Sequence, residues 1–245
     1  MSRKNKIYFA SDFHLGSPNE KDSLIREKKI CRWFDSIQDE AKEIFLVGDI
    51  FDFWFEYKRV IPKGFERFKG KIAELSDQGI KIHFFPGNHD LWTFGYLESE
   101  LGLVVHKKPL IITINNKTFY ITHGDGLGKR DLKYNFIKSI FSSQICQWMF
   151  SKIPSSLGIK IAHSWSKMSR KKGEKIDNTK LKDDLISHSK KILANTNINY
   201  FIYGHIHEPI EIELTPTSKY INLGDWITHF SYLEFNQSNL LFKYF

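Results

Sequence analysis

Five short clusters of Asp, Asn and His supply side chains of the kind that bind divalent metal ions. Their carboxylate, imidazole and amide groups form a nitrogen and oxygen set without thiolates, which suits Mn, Fe, Zn or Ni better than Ca or a structural Cys-zinc site. In an extended chain, side chains two residues apart point the same way, so Asp-x-His and His-x-His direct both groups at one centre. The clusters are Asp12-Phe13-His14, Gly48-Asp49-Ile50-Phe51-Asp52, Gly87-Asn88-His89-Asp90, His123-Gly124-Asp125 and Gly204-His205-Ile206-His207.

Each cluster follows a short apolar segment that predicts a β-strand. In the first half these segments alternate with amphipathic ones that predict helices over Ser23–Ala41 and Pro62–Asp77, an order typical of a mainly parallel sheet flanked by helices. Later segments predict a hairpin turning at Asn115-Asn116-Lys117 and further strands after residue 199, one of them over Ile227–Phe235. Because sites in such folds form beyond the carboxyl ends of the strands, the five clusters are expected to converge.

A segment from Gly126 to Asn197 interrupts this β-rich pattern and predicts a helical insertion. Apolar residues recur in it at helical spacing, and it is also the basic part of the chain. Lys129 to Lys191 contains 15 basic and 5 acidic residues, a balance of +10, whereas the whole chain carries +8. Such a charge attracts nucleic acid, anionic lipid or phosphorylated substrates. The two apolar sets are Ile137, Phe141, Ile145 and Trp148, then Leu157, Ile161, Trp165 and Met168.

Length and composition predict a globular chain of one domain. The chain has 245 residues, 41% of them hydrophobic and 26% charged, which excludes a disordered chain, a collagen and a coiled-coil rod. Two distant cysteines exclude a disulfide framework and a zinc knuckle. The apolar run near the start is too short for a secretory signal, and Ser139–Ser151 is too short to span a bilayer. A cytoplasmic protein is therefore expected.

The ordered series DxH, GDxxD, GNHD, HGD and GHxH resembles the calcineurin-like metallophosphoesterase family. The resemblance implies an α/β fold, a four-layer αββα sandwich formed by one domain over residues 1–245, with a helical lid insertion at about 126–197. It also implies two divalent metal ions, with Mn²⁺ favoured and Fe, Zn or Ni as alternatives. By the same resemblance, His89 lies near the scissile phosphate and Asp90 orients it. The implied ligands are Asp12, His14, Asp49 and His207 for the first metal, and Asp49, Asn88, His123 and His205 for the second, with Asp49 bridging.

Longer matches indicate one branch of this family. GDIFDFWFEYK, GNHDLW, HGDGLGKRDLKY and NLGDW are similar to the UDP-2,3-diacylglucosamine hydrolases, which act in lipid A synthesis of Gram-negative bacteria. The similarity implies a UDP-linked lipid substrate, cleaved to UMP and a diacylated sugar 1-phosphate under a helical lid. The lid offers apolar side chains for acyl chains, at Phe136, Ile140, Phe141, Trp148, Met149 and Phe150. The expected substrate-binding residues are Asn88, His89, Asp131, Arg170, Lys171, Lys172, Lys175 and His205.

Three further expectations concern partners. The basic and aromatic surface of the insertion predicts a peripheral contact with the cytoplasmic face of the inner membrane. A metallophosphoesterase acting on another phosphodiester or nucleotide, including nucleic acid, is the alternative. No nucleic-acid partner is expected, because neither stacking platforms nor a groove-tracking basic stripe is evident. The sequence does not predict an oligomeric state, and its intact set of ligands argues against a non-enzymatic scaffold.

Overall fold

The computed structural model describes residues 4–128, 132–173, 178–237 and 239–245, which form two β-sheets and seven helices. Sheet 1 has the strand order β11-β10-β1-β2-β3-β4, in which β1 to β4 run parallel and β10 pairs antiparallel with both β1 and β11. Its strands are β1 (Lys6–Ala10), β2 (Ala41–Val47), β3 (Lys81–Phe85), β4 (Val104–Val105), β10 (Ser231–Asn236) and β11 (Asn239–Tyr244).

Sheet 2 has the order β5-β6-β7-β9-β8, with β6, β7 and β9 parallel and the two outer strands antiparallel. Its strands are β5 (Leu110–Ile114), β6 (Lys117–Ile121), β7 (Tyr200–Tyr203), β8 (Pro209–Thr215) and β9 (Ser218–Leu223). The helices are α1 (Glu20–Ile37), α2 (Glu66–Asp77), α3 (Tyr96–Leu101), α4 (Leu132–Ser142), α5 (Gln144–Ser151), α6 (Ser155–Gly173) and α7 (Asn178–Leu193).

The two sheets lie face to face between helical layers. Alternate residues of each strand point to opposite faces, so Phe9 faces sheet 2, where its ring lies 5.6 Å from that of Phe119. On its other face sheet 1 packs against α1 and α2 through a cluster that includes Trp33 and Ile72. Sheet 2 packs on its outer face against α7, which contributes Leu185. The fold is therefore the expected four-layer αββα sandwich.

Capping and turn residues set several boundaries differently from the sequence pattern. The first helix begins at Glu20 because the Asn19 side chain accepts a hydrogen bond from the Asp22 amide at 3.0 Å, and it ends before Ala41, where β2 starts. Asn115 and Asn116 both adopt positive φ, the conformation required by the predicted hairpin turn. The strand predicted over Ile227–Phe235 is wrong in its first part, because the Asp225 carboxylate accepts two backbone hydrogen bonds and forms a turn there.

The helical segment between β6 and β7 divides into two parts. Helix α7 belongs to the outer layer of the sandwich, whereas α4, α5 and α6 lie outside it; we call these three the lid helices. The pattern from Ile137 to Trp148 is not one helix, because the Ser143 side chain caps a new helix by accepting from the Cys146 amide at 3.2 Å. In consequence Phe141 turns inward, while Trp148 is 62% exposed. Among the described residues, none of the helices is long and apolar enough to cross a bilayer.

Candidate metal centre

The five predicted clusters lie at one edge of the sandwich, at the carboxyl ends of β1, β2, β3, β6 and β7. Asp12, His14, Asp49 and His207 each bring one ligand atom into a group whose members all lie within 4.8 Å of one another. Within it, Nε2 of His207 lies 3.0 Å from Nε2 of His14 and 3.2 Å from Oδ1 of Asp12. Four groups of the predicted first site therefore meet in space.

Asp49, His123 and His205 form a second group of the same kind. Oδ2 of Asp49 lies 3.3 Å from Nε2 of His123 and 3.8 Å from Nε2 of His14, so one oxygen faces both groups. That is the geometry the bridging assignment requires. Asn88 is held beside this group because the amide of the next residue, His89, donates to Oδ1 of Asp49 at 2.9 Å.

The residues present fit a pair of divalent ions. Among the described residues, the buried atoms Asp12 Oδ1, Asn88 Oδ1 and His123 Nε2 have no hydrogen-bond partner. Unsatisfied buried polar atoms cost free energy, and coordination to a cation would satisfy all three. We call Asp12, His14, Asp49, Asn88, His123, His205 and His207 the metal cluster. The nitrogen and oxygen donors do not identify the ion.

Electrostatics in the cluster also favour cations. Burial would raise the pKa of Asp49, but the imidazoles of His123, His89 and His14 outweigh burial and hold it well below its usual range. Burial would likewise lower the pKa of His123, yet Asp49 raises it to about 10. The buried carboxylates thus require positive charge beside them, which divalent metal ions would supply.

The ligand residues are held in an unusual backbone conformation by neighbouring groups. Positive φ angles between 44° and 73° occur at five of these residues, namely Asp12, His14, Asp49, His205 and His207. Such a conformation costs roughly 1–3 kcal/mol per residue and persists only where the surroundings enforce it. Hydrogen bonds between the loops do so here, because the amide of His205 donates to Oδ2 of Asp12 at 3.0 Å and that of His14 donates to the Asp49 carbonyl at 2.9 Å.

Close approach explains two glycines of the motifs. A Cβ on Gly204 would lie 2.6 Å from Oδ2 of Asp12, and one on Gly48 would overlap the His123 ring. His123 in turn donates from Nδ1 to the Val47 carbonyl at 2.8 Å. Because a carbonyl only accepts, this bond fixes the tautomer and leaves Nε2 facing Asp49.

His89 lies beside the cluster, with its ring centre 5.0 Å from that of His14. Burial, together with the neighbouring imidazoles, lowers the pKa of His89 to about 4, although Asp49 opposes the shift. Its Nδ1 lies 3.0 Å from the backbone oxygen of Asp52 and 2.9 Å from Oγ of Ser166. The ring is therefore oriented by a loop carbonyl and a lid hydroxyl.

The role predicted for Asp90, which is to orient His89, stays a prediction, and the contacts of its carboxylate are to backbone amides. Both oxygens of the Asp90 carboxylate accept backbone hydrogen bonds, from Gly87 at 2.7 Å and from Ile50 and Phe51 at 2.7 and 3.2 Å. Asp90 therefore joins the loop after β2 to the loop after β3, and so holds Asp49 and Asn88 next to each other. A buried carboxylate surrounded by amides suits this structural role.

An apolar cavity of about 370 Å³ adjoins the cluster. Its inner wall contains Asn88 and His89, and the opposite wall comes from the lid helices. Of the apolar residues predicted for acyl chains, Phe141 and Phe150 line it, whereas Phe136, Trp148 and Met149 are 60% to 67% exposed. Asp131 and Lys175 lie outside the described residues, as do the side chains of Arg170, Lys171 and Lys172, so their substrate contacts stay predictions.

Three buried residues next to the cluster carry no role assigned from the motifs. Asp52 ends the GDxxD motif, and its Oδ1 lies 3.6 Å from Nδ1 of His14. Asp225 belongs to the NLGDW segment, and its Oδ2 lies 3.8 Å from Nδ1 of His207. The GDxxD and NLGDW motifs therefore already pointed to Asp52 and Asp225. Ser166 had none, because an isolated serine in a helix matches no pattern.

Comparison with known proteins agrees with this geometry. The family model of calcineurin-like phosphoesterases matches residues 5–209. A UDP-2,3-diacylglucosamine hydrolase from Porphyromonas gingivalis is 35% identical over 259 residues, covering 98% of this chain and 97% of that protein. A protein of the same name from Wigglesworthia glossinidia brevipalpis is 31% identical over 246 residues, covering 96% of this chain and 93% of that protein. With its five motifs assembled at one edge of an αββα sandwich, this chain belongs to the calcineurin-like phosphoesterase family.

Proposed function

We propose that this chain hydrolyses the pyrophosphate of UDP-2,3-diacylglucosamine to UMP and 2,3-diacylglucosamine 1-phosphate (lipid X), a step of lipid A biosynthesis. The observation that carries the proposal is the cavity of about 370 Å³, in which apolar lid residues face Asn88 and His89. A diphosphate joined to acyl chains needs a polar reaction site directly beside an apolar one. The names of the two relatives and their match over almost the whole chain support the same substrate.

The metal cluster would hold two divalent ions, which we propose to be Mn²⁺. Asp12, His14 and His207 would hold the first, Asn88, His123 and His205 the second, and Asp49 would be shared. Such a pair would polarise the phosphoryl group and lower the pKa of the attacking water.

The chain's own residues would bind and orient the diphosphate and handle one proton. The water oxygen would bond to one phosphorus as the bridging P–O bond breaks; the departing phosphate would take the electron pair and, in the end, the proton that the water loses. His89 would carry that proton on Nε2, accepting it from the water and giving it to the departing phosphate, because the Asp52 carbonyl and Ser166 occupy its Nδ1–H and leave Nε2 facing the substrate. The proposed substrate-binding residues are Asn88, His89, Asp131, Arg170, Lys171, Lys172, Lys175 and His205.

A comparison of four substrates tests the proposal. The protein, supplied with Mn²⁺, is assayed on UDP-2,3-diacylglucosamine, UDP-glucose, bis-p-nitrophenyl phosphate and single-stranded DNA under one condition. We expect the highest kcat/KM on the diacylated substrate, because remote binding energy from the acyl chains lowers the barrier only for that compound. Equal turnover of UDP-glucose would contradict the lipid assignment. Preferred cleavage of DNA would instead support the nucleic-acid alternative, which the basic charge of residues 129–191 favours.

We further propose that the lid helices contact the cytoplasmic face of the inner membrane. Their outer surface exposes Phe136 to 67%, Ile145 to 72% and Trp148 to 62%. Lys152 lies among these apolar groups, with its ammonium 5.3 Å from the Trp148 ring centre. Exposed apolar side chains with neighbouring cations suit the boundary of an anionic leaflet.

Vesicle co-sedimentation tests this contact. Replacing Phe136 and Trp148 together by Ser should weaken binding to phosphatidylglycerol vesicles, whereas Ile111→Ser, at a 51% exposed position of β5, should not. Equal binding of the wild type and the double variant would contradict the proposed surface.

A further inference from the structure

One hydroxyl of the lid helices reaches the histidine beside the metal cluster. Ser166 lies on α6 and is only 4% exposed. Its Oγ is 2.9 Å from Nδ1 of His89 and 3.1 Å from the backbone oxygen of Asp52. These partners are 77 and 114 residues away in the chain, so only docking of α6 brings the three atoms together.

The chemistry of the three atoms fixes where their protons lie. The Asp52 carbonyl can only accept, so the Ser166 hydroxyl donates to it and leaves its own lone pairs for the Nδ1–H of His89. The same Nδ1 also lies 3.0 Å from that carbonyl. A proton held on Nδ1 sets the tautomer, and two acceptors on one side set the orientation of the ring.

Among the described residues, other polar contacts also join the lid helices to the core without touching His89. The Trp92 indole donates to the Phe141 carbonyl at 2.8 Å, and the Lys138 ammonium lies 2.6 Å from Oδ2 of Asp125. Both anchor α4 to the core. Ser166 anchors α6 and, in addition, contacts a group that the proposed reaction uses.

We propose that Ser166 is a positioning residue for His89, through which docking of α6 fixes the tautomer and orientation of the histidine. The inference rests on the proposed phosphohydrolase function of the metal cluster, but not on the identity of the lipid. When the lid helices are docked over the substrate, they therefore also complete the set of side chains that carries out the reaction. Substrate capture and catalysis are thereby coupled through one hydrogen-bonded side chain.

The first test compares Ser166→Ala with a matched control on the same helix. Ser164 is exposed and its hydroxyl bonds only within α6, to the Lys160 carbonyl, so Ser164→Ala should behave as wild type. With saturating Mn²⁺ and bis-p-nitrophenyl phosphate, Ser166→Ala should lower kcat roughly tenfold, the value of one buried hydrogen bond, with little change in KM. Metal content by elemental analysis should match wild type, and circular dichroism should show a retained fold. A Ser166→Ala protein with wild-type kcat would overturn the inference.

The second test asks whether Ser166 acts through His89. In a His89→Ala background, Ser166→Ala should cause no further loss, because the group that it positions is gone. The same tenfold loss in that background would show that Ser166 merely stabilises the lid, and would also overturn the inference. If the wild type cleaves bis-p-nitrophenyl phosphate but not UDP-2,3-diacylglucosamine, the proposed substrate fails while both tests of Ser166 remain decisive.

Discussion

The loops that carry the metal cluster differ from the lid helices in the polarity and exposure of their side chains. In the loops the functional side chains are polar and mostly buried, with Asp12 and His14 at 0% exposure and the His207 side chain at 34%. In the lid helices many apolar side chains are exposed, with Ile145 at 72%. The loops thus complete their arrangement within the protein, apart from the ions, whereas the lid helices present surface that only another molecule can cover. The contrast teaches that the reaction centre is set in advance and that, under the proposed function, substrate choice would reside in the lid helices.

The largest effect should come from the group that both ion sites share. Asp49→Asn removes a negative charge where two cations would meet, while the amide oxygen can still accept from the His89 backbone. Activity on bis-p-nitrophenyl phosphate should fall by more than the roughly 10–100-fold loss typical of residues that only support a ligand. Elemental analysis should show lost metal, and circular dichroism an intact fold. Near-normal turnover by this variant would contradict the two-metal assignment.

The next largest effect should come from His89, which contacts both regions. His89→Ala should keep its metal, because this residue is assigned no ion, but lose roughly 10²–10⁴-fold in rate. Steady-state kinetics and metal content are measured on the same sample. If the variant loses a metal ion, His89 belongs to the metal cluster, and its grouping with His14 and Asp52 would then mark a coordination site.

The apolar lid residues that line the cavity should affect the lipid substrate alone. Phe141→Ala removes an aromatic ring from the cavity wall and should lower kcat/KM for UDP-2,3-diacylglucosamine roughly 10- to 100-fold, the value of one large buried apolar side chain. Hydrolysis of bis-p-nitrophenyl phosphate should hardly change.

Trp148→Ala supplies the matched comparison. Trp148 lies on the outer surface, so this change should leave both activities near wild type in detergent solution. Equal loss on the two substrates from Phe141→Ala, with the fold retained, would mean that the two regions are not separable.

The smallest effect concerns how closely the lid helices lie against the core. A Cβ on Gly158 of α6 would overlap the Tyr57 hydroxyl and lie 3.3 Å from the Phe150 ring. Gly158→Ala should therefore displace α6 slightly and reduce lipid hydrolysis several-fold. Tyr57→Phe removes the obstructing hydroxyl, so the double variant should recover most of that activity. Failure of this recovery would show that Tyr57 does not limit the approach of α6.

Local signals were sufficient for most strands and for the polar residues at their carboxyl ends, whereas the αββα arrangement of two sheets was expected only from the family resemblance. Alternating apolar residues indicated most strands, and the two asparagines at 115 and 116 indicated the hairpin turn. Predictions from local patterns failed where a side chain forms a hydrogen bond with a backbone amide. Ser143 divides a continuous helical pattern by capping α5, and Asp225 forms a turn within an apparent strand. The same apolar pattern is compatible with one helix or two, and with a strand or a turn. The hydrogen bond from side chain to backbone therefore decides which of them forms.

By itself the sequence determined which groups could bind metal and at which strand ends they lie, because side-chain chemistry and strand periodicity are properties of short segments. Only the tertiary structure decided the partners of each group. Asp90 bonds to amides of two loops rather than to its neighbour His89, and His89 bonds to a hydroxyl 77 residues away. The tertiary structure also separated α7, which packs against sheet 2, from the three lid helices. Such pairings depend on how distant segments pack, and no short motif contains that information.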